Sequence, residues 1–183
     1  MPETFVAILT AHLFGDFIFQ TKRMIERKRE WSIFLLHIII VTITTYLLMG
    51  KFHWQILAVI FLTHFIIDTV KLYRMGDSFL SFVVDQGSHL LVLLALAMVF
   101  NNVPDSGWWF TTLGNDFNEW YYVILALLSG LILTVKVGGI LIGKFTAPFQ
   151  EETDEGMEGL KNGGLYIGYL ERILVMILLF TDI

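Results

Sequence analysis

The chain has 183 residues, of which 56% are hydrophobic and only 16% charged, and its mean hydropathy is +0.70. Soluble domains carry about 25% charged residues, and several runs here stay apolar for about 18 residues or more, the signature of transmembrane helices. The absence of cysteine excludes disulfide frameworks and thiolate metal sites, and a net charge of −5 without a basic, aromatic-interleaved patch argues against nucleic acid as a partner.

The pattern predicts an all-α fold, a polytopic integral membrane helix bundle with about six spanning helices in a single transmembrane domain over 1–183. The first helix, roughly 4–20, carries His12, Asp16 and Gln20 at four-residue spacing. That spacing puts all three on one face, drifting about 40° per step. The helix lacks a basic start and a small-residue cleavage site, so it reads as a retained span and not a signal peptide. The loop 21–31 contains Lys22, Arg23, Arg27, Lys28 and Arg29, which marks it as cytoplasmic and leaves the N-terminus outside.

The second helix, roughly 32–50, holds His37 in an apolar run. The third, roughly 54–72, repeats the one-turn pairing as His64 and Asp68, and a short inner loop, 73–77, follows. The fourth, roughly 78–100, inverts it as Asp85 and His89, with Asp77 and Ser81 leading up from the cytoplasmic side. An external loop is expected over 101–119, with Pro104, Gly107 and Asp116 but neither Lys nor Arg. Trp54, Trp108, Trp109, Trp120, Tyr121 and Tyr122 fall at the outer boundary, and Trp31 and Tyr73 at the inner one, as an aromatic belt would.

The fifth helix, roughly 120–144, includes Lys136, expected to reach inward, and the pair Gly139 and Gly143. Such a small-residue pair lets another helix approach closely and suggests a homo-oligomer through this face. A cytoplasmic loop over 145–164 carries Pro148, several glycines and the acidic Glu151, Glu152, Asp154, Glu155 and Glu158, either as a solvated linker or as a lid. The sixth helix is roughly 165–183. On this topology, Lys51 alone among the 12 Lys and Arg residues lies outside.

Depth then follows for each polar residue. His12, Asp16, His37, His64, Asp68, Asp85 and His89 converge on one layer in the inner half of four helices, with Gln20 nearer the mouth and Glu171 and Arg172 at a comparable level. A bare carboxylate in lipid costs roughly 2.5–3.5 kcal/mol on insertion scales, so it needs a counter-charge. A divalent metal supplies one for all the aspartates together. Histidine with aspartate suits zinc first, with manganese or iron as alternatives, and one-turn carboxylate–histidine spacing is how helical bundles build dinuclear sites. Seven candidate ligands exceed what one tetrahedral ion uses, which points to two ions, or to one ion with supporting groups around it. A proton relay and a purely structural polar network draw on the same residues. Glu171 and Arg172 point about 100° apart, so a structural ion pair with other helices competes with a catalytic role.

These residues resemble a domain-of-unknown-function family of small polytopic membrane proteins from bacteria and large phages. The resemblance rests on the segment from His12 through Gly15 and Asp16 to Gln20, the His37 helix, His64 with Asp68, Asp85 with His89, and the late run from Gly159 through Asn162, Gly164 and Gly168 to Glu171 and Arg172. It covers nearly the whole chain. Family members tend to carry a basic residue near the position of Leu165 and more chain after the last helix; this sequence departs on both counts, as a chain shortened at its C-terminus would. The resemblance implies a multi-helix membrane fold and no established activity. The chain is also similar, more distantly, to membrane-bound metal-dependent hydrolases.

The leading expectation is therefore a metal-dependent hydrolase embedded in the cell (inner) membrane. It would act on a lipid or lipid-linked phosphoester, with Asp16, Asp68 and Asp85 shared between ligand and base roles and Gln20, Glu171 and Arg172 as auxiliary groups. A metal-ion or proton-coupled transporter is the alternative, but it needs a polar route outward that only Thr42, Thr44 and Thr45 on the second helix offer. A non-catalytic membrane adaptor leaves the buried histidines unexplained.

Overall fold

Inside a bilayer an apolar segment can satisfy its own backbone polar groups only as a helix or a closed barrel, and every regular element among the described residues is helical. The computed structural model describes residues 2–113, 115–150 and 163–181. Helix α1, Pro2–Phe14, opens on a proline at the position where its missing N–H costs nothing. It widens into a π-helical turn at Gly15–Phe19. A short α2, Lys22–Glu26, is capped by Thr21, whose hydroxyl accepts from Met24 N. Then come α3, Trp31–Met49; α4, Trp54–Arg74; and α5, Phe79–Val99, capped by Ser78 through Ser81 N. After a 3₁₀ turn at Pro104–Ser106 follow α6, Trp108–Leu113; α7, Asn115–Leu131; a π-helical turn at Ile132–Val137; α8, Gly138–Gln150; and α9, Gly163–Thr181.

Five stretches among the described residues are long and apolar enough to cross a membrane: Pro2–Phe19, Trp31–Met49, Trp54–Arg74, Phe79–Val99 and Trp120–Ala147. The first differs from the uniform α-helix expected over 4–20. The π turn closes with Gln20 N on Gly15 O, and Gln20 itself is extended, so the four-residue face linking it to His12 and Asp16 is broken there. α8 continues to Gln150, beyond the expected end at 144. The acidic residues Glu151 to Glu158 and the run from Gly159 to Asn162 lie outside the described residues.

The chain forms two compact units, Met1–Ser129 and Gly130–Ile183. In the first, α1 packs on α3, α3 on α4, α4 on α5 and α5 back on α1, a closed ring of four helices. Ile8, Val41, Met49, Ile56, Ile60, Leu93 and Leu96 fill part of its interior. Leu36, Ile43, Leu62, Ile66, Leu91 and Met98 are exposed on its outside, which is where lipid would lie.

The segment expected as an open loop over 101–119 is instead largely helical and folds onto the end of α3. The reason lies in the last carbonyls of that helix, which have no partner within it. Trp108 N donates to Gly50 O (2.7 Å), Trp109 Nε1 donates to Leu47 O (2.6 Å), and the Tyr121 hydroxyl bonds Leu48 O. Gly50 adopts φ +64°, the left-handed conformation that ends the helix, with the rings of Trp108 and Trp109 against it. A Cβ on Gly107 would stand 2.7 Å from Met49 O, so only glycine allows this approach. Thr4 adds a fastener from α1, accepting from Val103 N. Tryptophans that read as interface anchors thus also cap a helix.

In the second unit α9 packs on the π-helical turn and on α8. Arg172 lies along Gly139 and Gly168, with its guanidinium over the Tyr169 ring at 5.4 Å. Gly139 is therefore occupied by the chain's own arginine, while the Gly143 position meets nothing within 4 Å among the described residues.

Candidate metal centre

The ring of α1, α3, α4 and α5 brings His12, Asp16, His37, His64, Asp68, Asp85 and His89 into its interior. Their side chains are buried, from 1% exposed at His37 to 9% at Asp16. Each helix turns these polar residues to the ring's centre, while large apolar side chains such as Leu36, Leu62 and Leu91 lie on its outside.

The tightest group joins α3, α4 and the π turn. His37 Nε2 and His64 Nε2 are 3.2 Å apart. Asp16 Oδ1 lies 3.4 Å from His37 Nε2 and 3.3 Å from His64 Nε2, and Asp68 Oδ2 lies 3.4 Å and 3.9 Å from the same two atoms. Bonds of about 2.0–2.2 Å at tetrahedral angles put neighbouring ligand atoms about 3.3–3.6 Å apart. Four of the five separations fall on that value or within 0.1 Å of it, and the fifth, His64 to Asp68, is a little longer. Two imidazole lone pairs do not face each other at this distance without a proton or a cation between them.

His12 and His89 stand beside this group in different states. Gln86 Nε2 donates to Asp16 Oδ2 (3.3 Å) and Asp85 Oδ2 (2.9 Å), so its Oε1 is left facing His12 Nε2 at 3.2 Å. An amide oxygen only accepts, and His12 must therefore donate from Nε2. His89 does the reverse. Its Nδ1 donates to Asp85 O (3.0 Å), which leaves Nε2 as a lone pair, and that buried atom has no hydrogen-bond partner among the described residues. Fixing a tautomer through the other nitrogen is how metal-binding histidines are oriented. The His89 ring stacks on His12 at 4.9 Å and tilts against His64 at 4.2 Å. A small cavity above the three rings is otherwise apolar, lined by Ile8, Val41, Ile60, Val92 and Leu93 with Thr45 and Thr63. Both threonine hydroxyls are spent on their own helices.

Two lysines enter a site that sequence reading had left to histidine and aspartate. Lys28 Nζ lies 2.8 Å from Asp68 Oδ2, and Lys71 Nζ lies 2.5 Å from Asp85 Oδ2. By sequence Lys28 reads as a loop charge, and Lys71 stands at the inner end of the third helix. Two of the three aspartates therefore have a counter-charge from the chain itself, and the need for a cation narrows to Asp16, whose Oδ1 is buried without a hydrogen-bond partner. Gln86 was likewise missed, although its place beside Asp85 on an apolar helix was the available signal.

Gln20 is half-buried, with Nε2 unpartnered among the described residues, and lies beyond the π turn on extended backbone. Glu171 is exposed and Arg172 half-buried, both within the second unit.

A family model described as a protein of unknown function (DUF3307) matches residues 4–115. That stretch contains all seven polar residues together with Lys28, Lys71 and Gln86, and the match bears out the resemblance to a family of unknown function. No curated protein and no solved structure matches the chain.

Proposed function

Because the chain belongs to the DUF3307 family, whose description gives no activity, we propose its function from the site itself: a membrane-embedded, metal-dependent hydrolase acting on a lipid or lipid-linked phosphoester. The observation that carries this reading is the close set of His37 Nε2, His64 Nε2 and Asp16 Oδ1, 3.2–3.4 Å from one another, with Asp68 Oδ2 beside the two histidines at 3.4 and 3.9 Å. Zinc suits two imidazoles with carboxylate oxygen, and manganese or iron would also accept them. A divalent ion bound there supplies Lewis acidity and a water activated at neutral pH.

The surrounding residues have separable tasks in this reading. His37, His64 and Asp16 hold the ion, with nearly equal separations. Asp68, further from His64 and paired with Lys28, would serve as the proton acceptor beside them. Gln86 ties Asp16 to Asp85 and keeps both carboxylates oriented. The site opens to the cytoplasmic leaflet of the cell (inner) membrane, with the N-terminus outside and the loop around Arg27 inside, on the strength of the Lys and Arg distribution.

The transporter alternative finds less support. Above the histidines the cavity walls are apolar, and α6 with its flanking turns caps the end of α3. The lysine pairs do favour one rival, a metal-free polar network in which His37 and His64 share a proton.

Elemental analysis of the full chain purified in mild detergent separates the two. The hydrolase reading expects a stoichiometric divalent metal, a melting temperature lowered by chelation and restored by zinc or manganese, and metal-dependent release of phosphate from a lipid phosphate. A metal-free protein whose stability ignores chelators would end it.

A further inference from the structure

The ring has a lateral opening. Between α4 and α5 runs a groove of about 200 Å³, where about 10–15 Å³ admits one water. Its walls are Ile66, Ile67, Val70, Met75 and Val84, and Asp85 and Ser88 complete the lining. Ile66, Val70 and Val84 are 58%, 46% and 45% exposed, so the groove faces outward from two helices that are each long and apolar enough to span a membrane. Ser88 spends its hydroxyl on Val84 O, so the walls offer nothing for a polar occupant to bond.

The far side of the groove is different. Asp85 is the point where it meets the candidate centre, since Gln86 Nε2 bonds Asp85 and Asp16 together. Lys71 lies across the Phe82 ring at 5.6 Å to reach Asp85, and with its side chain 32% exposed it keeps donors turned outward. Arg74 stands one turn further on, exposed at the end of α4. A favourable helix dipole accounts for basic residues in a last turn but not for a lysine turned onto a carboxylate of the neighbouring helix.

We infer that this groove is a binding site for the apolar chain of a phosphate-bearing membrane lipid, with Lys71 and Arg74 receiving the phosphate and Asp85 marking where the headgroup meets the centre. An apolar wall ending in exposed cations matches an amphiphile with an anionic head and matches neither a free phosphate nor a zwitterion. This inference rests on the hydrolase reading for its sense as a substrate path, but the binding itself does not require a metal.

The test uses the full chain in phosphatidylcholine nanodiscs containing a small fraction of phosphatidic acid with a diazirine in one acyl chain. A parallel sample carries the same diazirine on phosphatidylcholine. After irradiation, adducts should concentrate on Ile66, Ile67, Val70 and Val84, and phosphatidic acid should label about tenfold more than phosphatidylcholine, the value of one charge-assisted contact. Val84→Trp fills the groove without touching the Lys71–Asp85 pair and should abolish the labelling with bound metal unchanged. Lys71→Gln should remove the headgroup preference. Because it also strips Asp85 of its cation, Lys71→Arg serves beside it and should keep the preference. Labelling spread evenly over the outer faces of α3, α4 and α5, equal labelling by both lipids, or chain-to-chain adducts in the groove would each overturn the inference. Groove labelling on a metal-free wild-type protein would sink the hydrolase reading alone, and even labelling on a metal-loaded protein would sink the groove alone.

Discussion

Lys28 Nζ and Asp68 Oδ2 are 2.8 Å apart, an ion pair between the basic loop and the interior of the ring, with side chains 15% and 2% exposed. The same carboxylate oxygen lies 3.4 Å from His37 Nε2 and 3.9 Å from His64 Nε2, so the lysine and a metal would compensate one charge between them. Replacing Lys28 by methionine leaves that charge to the metal alone. In metal-free protein the loss of a buried partner typically costs about 3–5 kcal/mol. The stabilisation gained on adding zinc should therefore be larger in Lys28→Met than in wild type, read as the difference in melting temperature with and without the ion. Equal gains would mean that the ion does not compensate the Asp68 charge.

His64 belongs to both groups of residues that converge closely enough to share an ion, one with His12 and Asp16 and the other with His37 and Asp68. His64→Ala should accordingly lose bound metal that His89→Ala retains, as measured by elemental analysis. Asp68→Asn should weaken metal binding at small cost in stability, because the Lys28 it abandons sits close enough to water to turn outward.

Metal binding at histidines competes with protons, since only neutral imidazole coordinates. Protonation gains as pH falls, so the apparent zinc affinity should be full above the ordinary histidine range and drop on acidification below about pH 6.5. Titrations at several pH values in detergent read this directly. An affinity independent of pH from neutral to acid would argue that carboxylates alone hold the ion.

Gly15 lies next to Asp16 at the start of the π turn, and a Cβ placed on it would stand 2.6 Å from Val41 Cγ2 and 3.3 Å from Val41 Cα. The backbone contact cannot be relieved by a rotamer change, so Gly15→Ala should push α1 from α3 at a cost of about 1–3 kcal/mol. Because Asp16 moves with it, bound metal should fall as well. Gly87, with nothing within 4 Å among the described residues, is the control: Gly87→Ala should leave both stability and metal content near wild type.

The proposed orientation gives a chemical test in intact cells. A cysteine introduced at Asn102 should react with an impermeant thiol reagent, and one at Arg27 should react only after the membrane is opened. The reverse pattern would turn the site to the outer leaflet and remove the cytoplasmic substrate path.

The sequence by itself determined the helices and the layer on which the polar residues meet. Apolar run length and one-turn spacing are local properties, so His64 with Asp68 and Asp85 with His89 could each be assigned to one helix face before any packing was known. The break at Gln20 was not legible, because a π turn depends on how α1 settles against Val41. Nor was the electrostatic balance of the site. Lys28 and Lys71 read as boundary charges, and their membership depends on reaching a carboxylate on a different element, a distance that only the closed ring sets. The same holds for Gln86, whose two donors and one acceptor find Asp85, Asp16 and His12 only once α1 and α5 are side by side. It holds again for Trp109, whose indole N–H meets Leu47 O, a carbonyl at the end of α3 whose other partner is Gly50 N at 3.2 Å.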